Sequence, residues 1–468
     1  MPYLLNKELY LKYLKNFFTM NAILSLLATF DDFFWSYVAF LMILLLGISF
    51  SWKSRFAQFT QFPQFCRLFY QYSQGSSKNK TEERGVHPLK VFFASASGNI
   101  GIGNVVGIVT AACIGGPGAL FWVWVAGILG SIVKYSEVYL GIKFRKVDNE
   151  GIYQGGPMYF LDKAYGTKIV PIIVAILLCI YGVEIYQFSV IADTISHCWN
   201  IPKFLTIFGL LFLVLYAVQG GLQRIGKICA CVLPFFLTLY CVLSLYILVK
   251  EFHQLPSLFS AVFSSAFTGH GAIGGFAGCT VATTIHQGIS RAAYSGDVGI
   301  GFDSIIQSES SVKKPETQAQ LSIIGLAIDN LICTLSLLMV LASGSWSLGL
   351  DNASQAVEHA LATYFPLVKI LLPTFFFVTG YTTIISYFLV GKKCAKFLYE
   401  KGGSKIYTIY GATILPAFCF LSQNTALLVM SVSGALLLCF NLFGVFLMRK
   451  EVEFPRADKA IELPSSAK

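Results

Sequence analysis

Charge is scarce in this chain. Only 12% of its 468 residues are Asp, Glu, Lys or Arg, about half of what a soluble domain carries. With 55% hydrophobic residues and a mean hydropathy of +0.66, this excludes an ordinary soluble globular protein. Histidine numbers six, with no HExxH or other metal-ligand spacing. No CxxC occurs, and the closest cysteines are Cys229 and Cys231. Most of the twelve stand singly, several in apolar runs (Cys113, Cys179, Cys279, Cys333, Cys439), and read as small buried apolar residues. The dyad alternation of a β-barrel is missing. Lys7, Glu8, Lys12 and Lys15 interrupt the first residues, so no secretory signal is expected. Without a nucleophile–base pair, metal cluster or phosphate loop, neither an enzyme nor a bound cofactor is expected. The net charge of +10 raises nucleic acid as a partner, but basic loops beside a bilayer explain it.

What is present is long apolar runs, such as 206–218 and 425–448. A helical span needs about 20 apolar residues. Spans are expected at 33–50, 88–112, 118–142, 169–194, 203–219, 227–249, 265–289, 319–344, 366–391, 405–421 and 424–448. That makes an all-α polytopic membrane protein with about 11 transmembrane helices and the lipid bilayer as its partner. Between the first two spans, the basic stretch 51–87 reads as a loop around Gly75-Ser76-Ser77-Lys78-Asn79-Lys80. With that loop in the cytoplasm, alternating segments place 27 of the 34 Lys and Arg on the same side, as the positive-inside rule expects. The N-terminus is then outside, and the tail 449–468 cytoplasmic.

Two spans carry glycine clusters near their middles. One is Gly98-Asn99-Ile100-Gly101-Ile102-Gly103-Asn104-Val105-Val106-Gly107; the other holds Gly269, Gly271 and Gly274-Gly275-Phe276-Ala277-Gly278. Glycine costs about 1 kcal/mol relative to alanine inside a helix, so each cluster points to local unwinding. The competing reading is close helix packing, and Gly103 and Gly107 fit GxxxG. A dinucleotide loop is excluded, because no strand precedes the glycines. The two spans are first and sixth of the ten after the basic loop. They stand five positions apart, an odd offset, so the halves 88–249 and 265–448 would be inverted, following an N-terminal segment 1–87 with one extra helix. Interrupted helices at matching positions mark an inverted-repeat transporter and its midplane site.

A break inside the bilayer is tolerable where its backbone groups line a cavity or bind something. The half-helix beginning around Ile102, Gly103 and Asn104 offers N–H groups and a positive dipole end to a carboxylate. Carbonyls around Gly98 and Asn99 suit a cation or an ammonium. Gln187 and Glu184 lie one turn apart in one span, and Thr382, Thr383, Ser386 and Tyr387 share another. Hydroxyls and carbonyls suit sodium, so Gly101, Asn104, Thr382 and Thr383 are assigned to the ion. For the threonines the plainer reading is a bond to the i−4 carbonyl. Glu184 is costly within a membrane and is a candidate for proton or ion coupling, against a structural pairing with a neighbouring helix. Lys134 and Glu137 are expected to satisfy each other.

At these residues the chain resembles the sodium–alanine/glycine symporter family, which has the leucine-transporter fold. The resemblance is carried by Gly98–Gly107, Gly115-Gly116-Pro117-Gly118-Ala119-Leu120-Phe121-Trp122, Lys134-Tyr135-Ser136-Glu137-Val138 and Gly155-Gly156-Pro157-Met158-Tyr159. Gln187 through Asp193, Gly220-Gly221 with Arg224-Ile225, Gly274–Gly278 and Thr382-Thr383-Ile384 complete it. It implies a symporter importing small neutral amino acids (alanine, glycine, D-alanine in range) with sodium, or a proton in its place. It also implies a bacterial inner membrane; a functional monomer is expected. It implies that Ile102 and Gly103 hold the substrate carboxylate and Gln187 hydrogen-bonds the substrate. Phe276 and Gly278 would shape the pocket, with Thr383 and Tyr387 beside it. The departures are Ile102 where members often have threonine, Tyr387 for a common tryptophan, and Glu184 at a typically uncharged position. Gly296-Asp297-Val298-Gly299-Ile300-Gly301-Phe302 stands for the usual Asn-Glu-Ala-Gly-Leu-Gly-Ser. A channel or proton pathway is the runner-up, since Glu184, Lys134 and Asp329 are ionisable; it would not need paired broken helices. A sensor would need a signalling domain longer than the tail.

Overall fold

The computed structural model describes Ala22 and residues 24–74, 84–268, 280–348 and 353–455. Among these, seven helices are long and apolar enough to cross a membrane: Leu24–Lys53, Ala119–Lys143, Ile169–Trp199, Gly221–Lys250, Pro315–Ala342, Val368–Leu398 and Gln423–Leu447. An eighth is Pro88–Asn99 with Gly103–Gly115, bent by 47°. Lys203–Gln219 is apolar but shorter, and Gly403–Phe418 follows the long helix Val368–Leu398. The only sheet among the described residues is a two-stranded ribbon pairing Lys146–Val147 with Tyr153–Gln154.

Most expected spans agree with these helices to within seven residues at either end, with three differences. The first helix begins at Leu24 rather than near 33. Asp31 does not stop it, because its carboxylate accepts a hydrogen bond from the Ser431 hydroxyl at 2.9 Å. The stretch 51–87 is not simply a loop. It holds the helices Ala57–Thr60 and Phe62–Ser73, and the second buries Phe65, Leu68 and Tyr72 along one face. Gly75 through Lys80 lie outside the described residues.

The third difference concerns the second break. The expected span 265–289 is not one described helix: Leu255–Thr268 ends four residues into it and Val281–Ser295 begins later within it. Gly269 through Gly278, with Phe276, lie outside the described residues. A further interruption follows Ser295. Asp297, Gly299 and Gly301 take φ of 49°, 84° and 110°, and helix resumes over Phe302–Gln307. At φ 110° only glycine is comfortable, which explains Gly301. The helix Ile169–Trp199 is also interrupted, at Gly182 to Glu184, where Glu184 itself is left-handed at φ 55°.

Small residues let the central helices approach. A Cβ on Gly127 would overlap the Asn330 amide, and one on Gly288 would lie 2.6 Å from the Ala119 carbonyl. At one end of the bundle, the Val86 N–H donates to the Glu309 carbonyl and the Ser311 N–H to the Val86 carbonyl, both at 2.9 Å. This ties the entry of the first broken helix to the exit of the second. Residues 449–455 run back beneath the bundle, where the Tyr135 hydroxyl donates to the Glu453 carbonyl at 2.8 Å. Gly127→Leu should therefore force Ala119–Lys143 away from Pro315–Ala342, costing at least about 1–3 kcal/mol. A melting temperature in detergent equal to that of the parent protein would show that this contact is dispensable.

Candidate functional site

The first broken helix stops at Ile100, whose ψ of 82° leaves the helical region, and restarts at Gly103. The donors at the new start are partly engaged. The Gly101 N–H donates to Asn104 Oδ1 at 2.9 Å, and the Ile102 N–H to Gln187 Oε1 at 3.2 Å. The Asn104 N–H donates to the Gly101 carbonyl at 3.2 Å. The free N–H groups expected at Ile102 and Asn104 are thus taken. At Ile102 the acceptor is a side-chain amide oxygen, which does what a carboxylate oxygen would do. A Cβ on Gly103 would meet nothing within 4 Å, whereas one on Gly101 would lie 2.7 Å from Gln187 Oε1 and 3.0 Å from Thr383 Oγ1. Gly101 is the glycine that the protein itself requires, and Gly103 borders open space.

On the other side of the break, carbonyls meet hydroxyls, one residue earlier than expected. The Ser97 carbonyl accepts from Thr383 Oγ1 at 3.1 Å and from Thr382 Oγ1 at 3.4 Å. The same hydroxyls also bond within their own helix, Thr383 to the Thr379 carbonyl and Thr382 to the Val378 carbonyl, both at 3.0 Å. The i−4 bond and the contact across helices coexist. Ser97 Oγ, buried beside them, makes no hydrogen bond. Asn104 does not join this group. Its amide nitrogen donates to Asp329 and approaches Cys333 Sγ at 3.4 Å, on helix Pro315–Ala342.

The second break carries the charge. Lys134 Nζ donates to the Gly296 carbonyl at 2.6 Å and forms an ion pair with Asp303. Asp303 also accepts from Ser95 Oγ and, at 3.1 Å, from the Asn99 amide, both on the first broken helix. The expected Lys134–Glu137 pairing is replaced: Glu137 accepts from the Ser304 hydroxyl at 3.1 Å, because the long lysine reaches across to the neighbouring helix. Asp303 had no signal in the sequence, since it falls between the expected spans 265–289 and 319–344. Asp297 is 1% exposed, and neither of its carboxylate oxygens makes a hydrogen bond; Tyr387 and Lys134 face it. Phe302 stacks on Tyr387 with ring centroids 4.0 Å apart, and its tip occupies the space a Cβ on Gly98 would need.

Glu184 accepts from the Gln187 amide at 3.0 Å, so Glu184, Gln187 and Ile102 form one chain. A cavity of about 200 Å³ adjoins this chain, lined by Ile102, Val106, Tyr186, Val190, Thr194 and Phe376 and reaching Gln423, Ser354 and Gln355. Ile102, Gln187, Thr383 and Gly101 are thereby brought together. Tyr387 lies one turn beyond Thr383, and Phe276 and Gly278 lie outside the described residues.

Residues 20–456 match the model of the Sodium:alanine symporter family. The chain belongs to this family. Among curated relatives, the uncharacterized transporter YflA of Bacillus subtilis is 32% identical over 400 residues, covering 82% of this chain and 83% of that one. The sodium/alanine symporter AgcS of Methanococcus maripaludis is 27% identical, covering 91% and 94%. Among solved structures, MhsT in complex with L-phenylalanine aligns with a TM-score of 0.59 at 15% identity, over 78% of this chain and 90% of that one. That likeness shows the leucine-transporter fold. The symporter is thus a multi-pass membrane protein of a sodium-coupled amino-acid transport family, not an enzyme; by family its transported partners are an amino acid and sodium.

The Lys134–Asp303 pair yields a test. Removing one partner of a buried pair strands the other charge, at a cost of about 3–5 kcal/mol. Lys134→Ala should sharply lower thermal stability in detergent, and adding Asp303→Asn should recover part of it. Equal melting temperatures for the single and double variants would mean that the two side chains are not coupled.

Proposed function

We propose that this symporter imports small neutral amino acids, alanine and glycine with D-alanine in range, together with sodium, by alternating access around the two broken helices. The observation that carries this reading is the convergence of an N–H pole and a carbonyl–hydroxyl pole on Gly101, where a Cβ would meet both Gln187 and Thr383, with the buried carboxyl of Asp297 beside Tyr387. The substrate carboxylate takes the Ile102 N–H in place of Gln187 Oε1, and the freed Gln187 amide hydrogen-bonds it. The ammonium lies toward Asp297, whose oxygens lack partners. Sodium sits among Thr382, Thr383 and the Ser97 carbonyl, where hydroxyl protons turn away and expose oxygen lone pairs. Asn104 supports the break rather than the ion. The stacked Phe302 and Tyr387 would restrict the substrate to a small side chain.

The repeat follows from the same elements. The first half is 88–249 and the second, inverted half 265–448. The helix Leu24–Lys53 and the basic segment precede them. Basic residues place that segment and the tail in the cytoplasm, with the N-terminus outside a bacterial inner membrane. The cavity beside Ile102 then faces outward, while the Val86–Ser311 tie closes the inner end. The protein acts as a monomer, since both poles come from one chain.

Uptake of labelled alanine and glycine into proteoliposomes, with sodium and proton gradients imposed separately, tests the reading; absence of sodium-driven uptake would refute it. Thr383→Val should raise the sodium concentration for half-maximal uptake about tenfold, the equivalent of ~1.4 kcal/mol, and an unchanged sodium dependence would leave that threonine a packing role. Gly103→Val should keep the protein folded, because the space there is open, yet abolish uptake by crowding the carboxylate. Normal uptake by that variant would place the substrate elsewhere.

A further inference from the structure

Five carboxyls are buried around the breaks: Glu137, Glu184, Asp297, Asp303 and Asp329. Lys134 is the cation among them, and it interacts with Glu137, Asp297 and Asp329 while pairing with Asp303. Glu184 is different. The charged and titratable groups that face it are Asp297 and Tyr294 from the second broken helix, Tyr387 from Val368–Leu398, Tyr407 from Gly403–Phe418 and its own neighbour Tyr181. Arg291 faces Asp31 and Tyr186 instead. Among the described residues, no cation answers the Glu184 carboxylate.

Its backbone adds a second observation. Glu184 occupies the cap position of the helix Ile185–Trp199, where a carboxylate ordinarily accepts from the following N–H groups. It makes no such bond. Instead it holds the left-handed conformation that disfavours a side chain and turns to the Gln187 amide at 3.0 Å. Gln187 in turn covers the Ile102 N–H, the donor that the proposed substrate carboxylate must take.

We propose that Glu184 is the coupling residue through which a proton enters with the amino acid, an inference that rests on the symport reading above. Ionised, Glu184 grips the Gln187 amide in a charge-assisted bond, about twice as strong as a neutral one, and keeps Oε1 on Ile102. A proton from the outer solution forms an O–H bond on Glu184 and neutralises it. The grip weakens, Gln187 swings away, and the substrate carboxylate occupies the Ile102 N–H. Once the site opens inward and substrate leaves, Gln187 returns, the O–H bond breaks and the proton passes to the cytoplasm, so the proton adds one positive charge to the one sodium carries. Because the coupling is reciprocal, proton and substrate strengthen each other's binding.

The full chain in proteoliposomes, with labelled alanine and a pH dye in the lumen, tests this. In the parent protein, the alanine concentration for half-maximal uptake should fall about fivefold from external pH 8 to 5.5, the gain expected when a charge-assisted bond becomes a neutral one. Alanine entry should acidify the lumen. Glu184→Gln should still exchange alanine, with an affinity that no longer changes with pH, and should not acidify the lumen. Glu184→Asp should keep a pH response with a moved midpoint. The inference is overturned if Glu184→Gln retains the pH response or the acidification, or if the Glu184→Asp midpoint does not move. It is also overturned if Glu184→Gln loses uptake of lysine or arginine and nothing else, since Glu184 would then bind a cationic side chain. Normal sodium-driven uptake without proton entry in the parent protein overturns this inference alone. Absence of any uptake removes the symport reading and this inference with it.

Discussion

The ion pair between Lys134 and Asp303 is the joint on which the rest of the site depends. Lys134 also holds the Gly296 carbonyl, where the second broken helix stops. Asp303 also holds Ser95 and Asn99, where the first one stops. One lysine and one carboxylate therefore connect the ends of two interrupted helices from opposite halves of the chain. A break in a membrane helix leaves backbone groups that lipid cannot satisfy, and here charged side chains supply the partners.

Such a joint is not chosen for stability. A buried ion pair gains little over a well-packed apolar pair of the same volume, so its advantage lies in geometry. It sets the register between Ala119–Lys143 and the two breaks, and it leaves Asp297 buried with both oxygens unpartnered. A buried carboxyl without a close hydrogen bond and an N–H pole held only by a side-chain amide make a poor arrangement for an empty protein and a good one for a zwitterion. The same contrast holds at Ser97, Thr382 and Thr383, where three hydroxyls and a carbonyl crowd together with more acceptor capacity than their mutual bonds use.

Three interruptions surround the site. Two belong to the broken helices, and the third puts Glu184 at the start of Ile185–Trp199 in a conformation that glycine would take more easily. Strain of this kind persists where the surroundings over-determine it. The surroundings here are the Gln187 amide and the Ile102 N–H, which connect the third interruption to the first.

The chain alone was enough to establish the membrane class, most helices, the first break and the family, because hydropathy, lysine and arginine placement and glycine clustering are local signals. It also pointed to Gln187, Thr382 and Thr383. It did not reveal the interruption at Gly296–Gly301, since that stretch falls between two expected spans and its glycines read as an ordinary loop. Nor could it assign Lys134 to Asp303 over Glu137. A lysine side chain reaches residues on its own helix and on a neighbouring one equally well, and only the packing of Ala119–Lys143 against Phe302–Gln307 decides which carboxylate lies within reach. The same holds for Asn104, which three residues of spacing put beside Gly101 but which only the approach of Pro315–Ala342 turned toward Asp329 and away from the threonines. Spacing along one helix determines which residues share a face; what that face meets is a property of the assembled bundle.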